Sequence, residues 1–101
     1  MTEFQLECLQ GCLDLTRRRR AVEWTDFHAM AGQDRIYYTA RIRGPRHKMK
    51  VNIYEDKADL SLDGREMVFD DSAYDSLDSL KRAFLGTLAE ALQRITARAG
   101  K

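Results

Sequence analysis

Residues 35–54 read RIYYTARIRGPRHKMKVNIY, and this stretch decides the fold. Up to Arg43 the apolar Ile36, Tyr38, Ala40 and Ile42 alternate with Arg35, Tyr37, Thr39, Arg41 and Arg43, the period of two expected of a half-buried strand. Gly44 and Pro45 break the pattern. It resumes with Met49, Val51 and Ile53 on one side and Lys48, Lys50, Asn52 and Tyr54 on the other, so a second strand returns beside the first. The four-residue link from Gly44 to His47 suggests a register. Arg43 faces Lys48, Arg41 faces Lys50, Thr39 faces Asn52 and Tyr37 faces Tyr54, while Ile42 meets Met49, Ala40 meets Val51 and Tyr38 meets Ile53. One side of the hairpin is therefore apolar and the other basic.

Towards the C-terminus, Leu60 and Leu62 face inward, Asp63-Gly64 is the pair preferred in a two-residue type I′ turn, and Met67 and Phe69 return on a further strand. The expected sheet is a four-stranded antiparallel meander over about residues 35–69. Asp70, Asp71 and Ser72 then offer caps to a helix over about 73–98, whose Leu77, Leu80, Phe84, Leu88, Leu92 and Ile95 repeat at three and four residues. At the N-terminus, Thr2 and Gln5 form a candidate capping box for a helix over about 3–19. Leu6, Leu9 and Leu13, joined by Phe4, Cys8, Cys12 and Leu15, make its apolar face. Gly11 weakens this helix by about 1 kcal/mol relative to alanine. Residues 21–34 carry no decisive period, although Trp24 and Phe27 suit plugs that close the helix-to-sheet connection. Two amphipathic helices are the only cover for the apolar sheet face. The expectation is one α+β domain spanning residues 1–101, a two-layer sandwich whose other sheet face is open.

Seventeen basic residues against sixteen acidic leave a net charge of +1, which argues against uniform attraction to polyanions. The distribution is uneven. Residues 17–50 hold ten basic groups and three acidic ones, a balance of +7, while residues 1–16 and 51–101 each carry −3. No apolar run approaches the roughly 20 residues needed to cross a bilayer, so no membrane role is expected. Glu3 and Glu7 stand where a secretory peptide would be basic and then apolar, which points to a cytoplasmic protein. Cys8 and Cys12, four apart on one helix, read as small core side chains in a reducing compartment. Only His28 and His47 could complete a zinc site, and their spacing does not fit one, so neither metal nor cofactor is expected. There is no Gly-x-Ser-x-Gly, no phosphate-binding glycine loop and no triad spacing. The acids Asp56, Asp59, Asp63, Asp70 and Asp71 fall mainly at turns and a helix start. The chain therefore reads as a non-enzymatic binding or regulatory domain.

The leading reading assigns binding of an anionic partner, nucleic acid first, to the open face: Arg35, Arg41, Arg43, Arg46, Lys48 and Lys50, with Tyr37 and Tyr54 as stacking faces. Arg17, Arg18, Arg19 and Arg20 either extend this surface or only complement the carboxyl end of the first helix. Two plainer readings stand beside it. Long cationic side chains on an exposed sheet protect it from aggregation. Alternatively the chain is a homodimeric adaptor, or binds an acidic protein surface, with Leu85 and Ala89 as surplus apolar positions on the last helix.

Overall fold

The computed structural model describes residues 1–17, 24–32, 35–43 and 46–96. Helix α1 (Glu3–Thr16) is followed by strands β1 (Trp24–Gly32), β2 (Arg35–Arg43), β3 (Lys48–Ile53), β4 (Ala58–Leu62) and β5 (Arg65–Phe69), and then by helix α2 (Leu77–Thr96). The strands form one sheet in the order β1-β2-β3-β4-β5, each pair antiparallel. The four strands expected between 35 and 69 are present. The segment without a decisive period supplies a fifth at the edge, paired to β2 with a register shift between Thr25 and His28. That bulge explains the lost period, because an inserted residue moves every following side chain to the opposite face.

The register of the β2–β3 pair is the one its sequence alternation demands: Arg43 opposite Lys48, Arg41 opposite Lys50, Thr39 opposite Asn52. Ala40, Ile42, Met49, Val51, Ile53, Ala58, Leu60 and Phe69 are buried with Phe4, Cys8, Leu9 and Cys12 of α1 and Leu80, Phe84, Leu88, Ala91, Leu92 and Ile95 of α2. Both helices thus lie on the apolar side, and the molecule is a two-layer α+β sandwich. The β4–β5 turn takes positive φ at Asp63 (52°) and Gly64 (87°), as a type I′ turn requires.

Thr2 caps α1 with the full capping box: its hydroxyl accepts from the Gln5 amide at 3.1 Å, and the Gln5 side chain accepts from the Thr2 amide at 2.9 Å. The buried arc of this helix differs from the expected one. Leu6 and Leu13 are 51% and 49% exposed, and the buried arc centres on Phe4, Gln5, Cys8, Leu9 and Cys12. The cause is Gly11. A Cβ there would lie 2.7 Å from both terminal methyls of Leu85, so α1 is turned to give α2 this bare patch of backbone. Leu85, surplus to the apolar stripe of α2, is consequently half-buried inside the domain rather than offered to a second copy. Lys81 of α2 reaches Glu7 of α1 at 2.8 Å across the same contact.

Trp24 closes the helix-to-sheet connection, donating from Nε1 to the Thr16 hydroxyl at 2.9 Å while its ring packs on the core. Helix α2 begins at Leu77 rather than near residue 73. The Asp70 carboxylate accepts from the Ser72 amide at 3.0 Å and closes a local turn, so it is not a helix cap. Ser76 takes that role, accepting from the Ser79 amide at 3.1 Å.

Candidate anion-binding site on the open sheet face

Among the described residues, no helix covers the face that carries the outward residues of β2 and β3. Arg41, Arg43, Lys48 and Lys50 are all exposed there. They stand as two adjacent cross-strand pairs, with Cα positions about 5 Å apart across the strands and about 7 Å apart along them. Together with Ser61 of β4 and Gly64 of the following turn they line a depression of about 290 Å³ whose floor is the backbone around Ile42 and Met49. Among the described residues no carboxylate lines it.

One acid stands close by, at the rim. Asp63 accepts from the Lys48 amide at 2.9 Å and meets His47 Nδ1 at 2.5 Å. The backbone hydrogen bond from Lys48 and then the one from His47 hold its carboxyl below the usual range. Its charge is thereby committed to pinning the β2–β3 link against the β4–β5 turn.

Towards β4 and β5 the open face is not basic. Asn52 is opposite Asp59, which is opposite Val68, and Lys50 is opposite Ser61, which is opposite Glu66. Among the described residues of β2 to β5, the outward cations therefore lie on β2 and β3, with Asp59 and Glu66 on β4 and β5. Burial pushes the Asp59 carboxyl up, outweighing the hydrogen bond from Asn52 Nδ2 at 2.8 Å, and the nearby Glu66 charge adds to the rise.

The row between the cations and the tyrosines is also less available than its residue types suggest. Thr39 is only 8% exposed, and its hydroxyl is sealed without a partner among the described residues. Tyr37 and Tyr54 stack on each other, their ring centroids 4.8 Å apart, and Lys57 Nζ lies 5.1 Å from the centroid of the Tyr54 ring. Tyr54 is thus engaged within the protein and is not a free stacking platform. Burial, then the charge of Asp59, raises its phenol pKa.

The remaining candidates fall apart from the quartet. Arg46 is exposed in the β2–β3 link, outside the lining of the depression. Arg35 stands at the start of β2 opposite Gly32, six positions along the strand from Arg41 of the nearer pair. Arg17 caps α1 in the helix layer, where its guanidinium pairs with Asp14 at 2.9 Å. Arg18, Arg19 and Arg20 lie outside the described residues. Ser61 and Gly64 are lining residues that a scan for charge and aromatics passes over. Ser61 comes beside Lys50 through the β3–β4 pairing, a register that the Asp63-Gly64 turn between β4 and β5 does not set.

No family model, curated protein or solved structure matches this chain. Its function is accordingly argued from these side chains. Among the described residues, no helix is long and apolar enough to cross a membrane.

Proposed function

We propose that this domain is a non-enzymatic cytoplasmic binding module that engages the phosphate groups of nucleic acid through Arg41, Arg43, Lys48 and Lys50. The observation that carries the reading is the convergence of these four exposed cations on one depression of an uncovered sheet face. Like charges directly across strands each oppose folding by about 0.2–1 kcal/mol. A bound phosphate reverses the sign of that interaction, and the guanidinium fork of Arg43 matches its oxygens two at a time. The flanking acids Asp59 and Glu66 repel a polyanion from the neighbouring half of the sheet and so give the surface a boundary.

The adaptor reading has less support. Leu85, one of its two expected contact residues, packs against Gly11 within the domain.

Fluorescence anisotropy with a labelled single strand tests the proposal. Binding is expected in low salt, with log affinity falling against log salt by about 0.7 for each phosphate neutralised. Replacing Arg41 and Lys50 together by glutamine should weaken binding at least tenfold and flatten that slope. A flat salt response, or no binding in low salt, overturns the proposal, and a stable oligomer indifferent to nucleic acid in light scattering would favour the adaptor.

A further inference from the structure

We infer that the outer edge of β5 is a self-pairing surface on which a second copy of this chain docks antiparallel, with Met67 on the two-fold axis. The inference stands apart from the nucleic-acid reading, since the contact uses none of the four cations.

β5 is the last strand of the sheet, and among the described residues no strand pairs with its outer side. Natural sheets blunt such an edge with lysine, proline or a covering element. Here Met67 and Val68 are instead 36% and 53% exposed, with Arg65 and Glu66 exposed beside them. The turn determines which backbone groups face outward. A two-residue turn at Asp63 and Gly64 makes Leu62 and Arg65 a hydrogen-bonded pair, and bonded and non-bonded pairs then alternate along the hairpin. Arg65, Met67 and Phe69 thus commit their amides and carbonyls to β4. Glu66 and Val68, opposite Ser61 and Asp59, turn theirs away from the sheet. The neighbouring hairpin agrees. The Tyr54 amide donates to the Lys57 carbonyl at 2.8 Å, so Asn52 and Asp59 are a bonded pair and the Asp59 backbone is directed at β3, not at Val68.

An antiparallel neighbour must set outward groups opposite outward groups, which leaves three registers for a second copy. In one, Glu66 faces Glu66 of the second copy; in another, Val68 faces Val68 and Glu66 faces Asp70. Both put carboxylates directly opposite each other, which is unfavourable, and both align only part of the strand. The remaining register sets Glu66 opposite Val68 and Arg65 opposite Phe69, and pairs all five residues of β5 with no like charges opposite. Each Glu66–Val68 pair exchanges both main-chain hydrogen bonds. Met67 then meets Met67 of the second copy as a non-bonded pair, with Cα atoms about 4.5 Å apart. Met67 lies on the same face as Leu60, so the two thioethers meet on the helix side of the sheet. Opposite residues share a face, and the helix layers of both copies therefore lie on one side and the open faces on the other. The contact is isologous and closes at two copies. It is also small, so a reversible, concentration-dependent dimer is expected.

Sedimentation equilibrium of the full chain over a concentration series tests this. A monomer–dimer equilibrium is expected. Met67→Lys and Met67→Glu, each bringing like charges together on the axis, should each raise the dimer dissociation constant by about tenfold or more. Mixing the two variants should restore the dimer, because opposite charges then meet. Val68→Pro removes an outward amide that β4 does not use, keeps the hairpin and should also give a monomer, which covers poor folding of a charged variant. A chain that stays monomeric at millimolar concentration overturns the inference. A dimer that neither charged variant weakens, or that their mixture fails to restore, overturns it too, because the contact would then lie elsewhere. Neither result bears on the nucleic-acid reading, which the anisotropy titration tests separately.

Discussion

Asp59 and Asp63 lie four residues apart, and their surroundings move them in opposite directions. Asp63 accepts hydrogen bonds that favour its charged form. Its contribution to stability is present above the ordinary carboxylate range and is lost as pH falls through its lowered folded value. For Asp59 burial dominates and disfavours ionisation, so the fold is weakened as pH rises through the raised folded value. Asp59→Asn keeps an acceptor for the Asn52 amide and removes the charge. It is expected to raise Tm at pH 7 and to leave Tm nearly unchanged at an acid pH where Asp59 is already protonated. Thermal melts at the two pH values decide this, and an equal gain at both would show that charge is not the cause.

Among elements, the α1–α2 contact sets two known tendencies against each other. Alanine at position 11 favours the helix by about 1 kcal/mol. Its methyl would meet Leu85 at 2.7 Å, and overpacking of this kind costs about 1–3 kcal/mol. Gly11→Ala should therefore destabilise the protein by about 1 kcal/mol, yet stabilise it by about 1 kcal/mol in a Leu85→Ala background, where the obstacle is gone. Denaturant titration of the four proteins in this cycle checks the change of sign. The β2–β3 pair holds a related conflict between stability and binding. Removing one cation by Arg43→Thr should raise stability by about 0.5 kcal/mol in low salt, with the gain vanishing near 1 M salt as the repulsion from Lys48 is screened. The same variant should bind single strands more weakly. A stability gain that survives high salt would point to strand propensity instead.

The whole molecule is polarised. The cationic depression lies at the end of β3, β4 and β5 that holds the Asp63-Gly64 turn. The opposite end gathers Asp56, Asp70, Asp71 and Asp75 around a second depression of about 320 Å³. A charge distribution of this kind orients an approaching polyanion before contact even though the net charge is only +1. The core between the two ends encloses Cys8 and Cys12 completely, and burial raises the Cys8 thiol to about 12 and the Cys12 thiol further. Both thiols should be silent to a thiol reagent in the folded protein and react only at denaturant concentrations where Trp24 fluorescence reports global unfolding. Rapid labelling of either under native conditions would contradict this packing.

The β2–β3 register, the type I′ turn, the capping box and the sidedness of the sheet were legible in the residues themselves. Each depends on a period or a local hydrogen bond that a few neighbouring positions specify. The start of α2 was less legible, because Asp70 and Ser76 both offer caps and the choice depends on which turn closes first. The orientation of α1 and the limits of the basic surface belonged to tertiary structure. Leu6 and Leu13 had the composition of a core face, but the close approach of Leu85 to Gly11 turned the helix away from them. Counting cations along β2 and β3 could not show that Asp59 and Glu66 bound the patch, that Thr39 is sealed, or that Tyr37 and Tyr54 stack on each other. Periodicity along the chain assigns a side chain to a face. What stands beside it on that face is decided by strands and helices distant in sequence, and those neighbours determine which charges a ligand would meet.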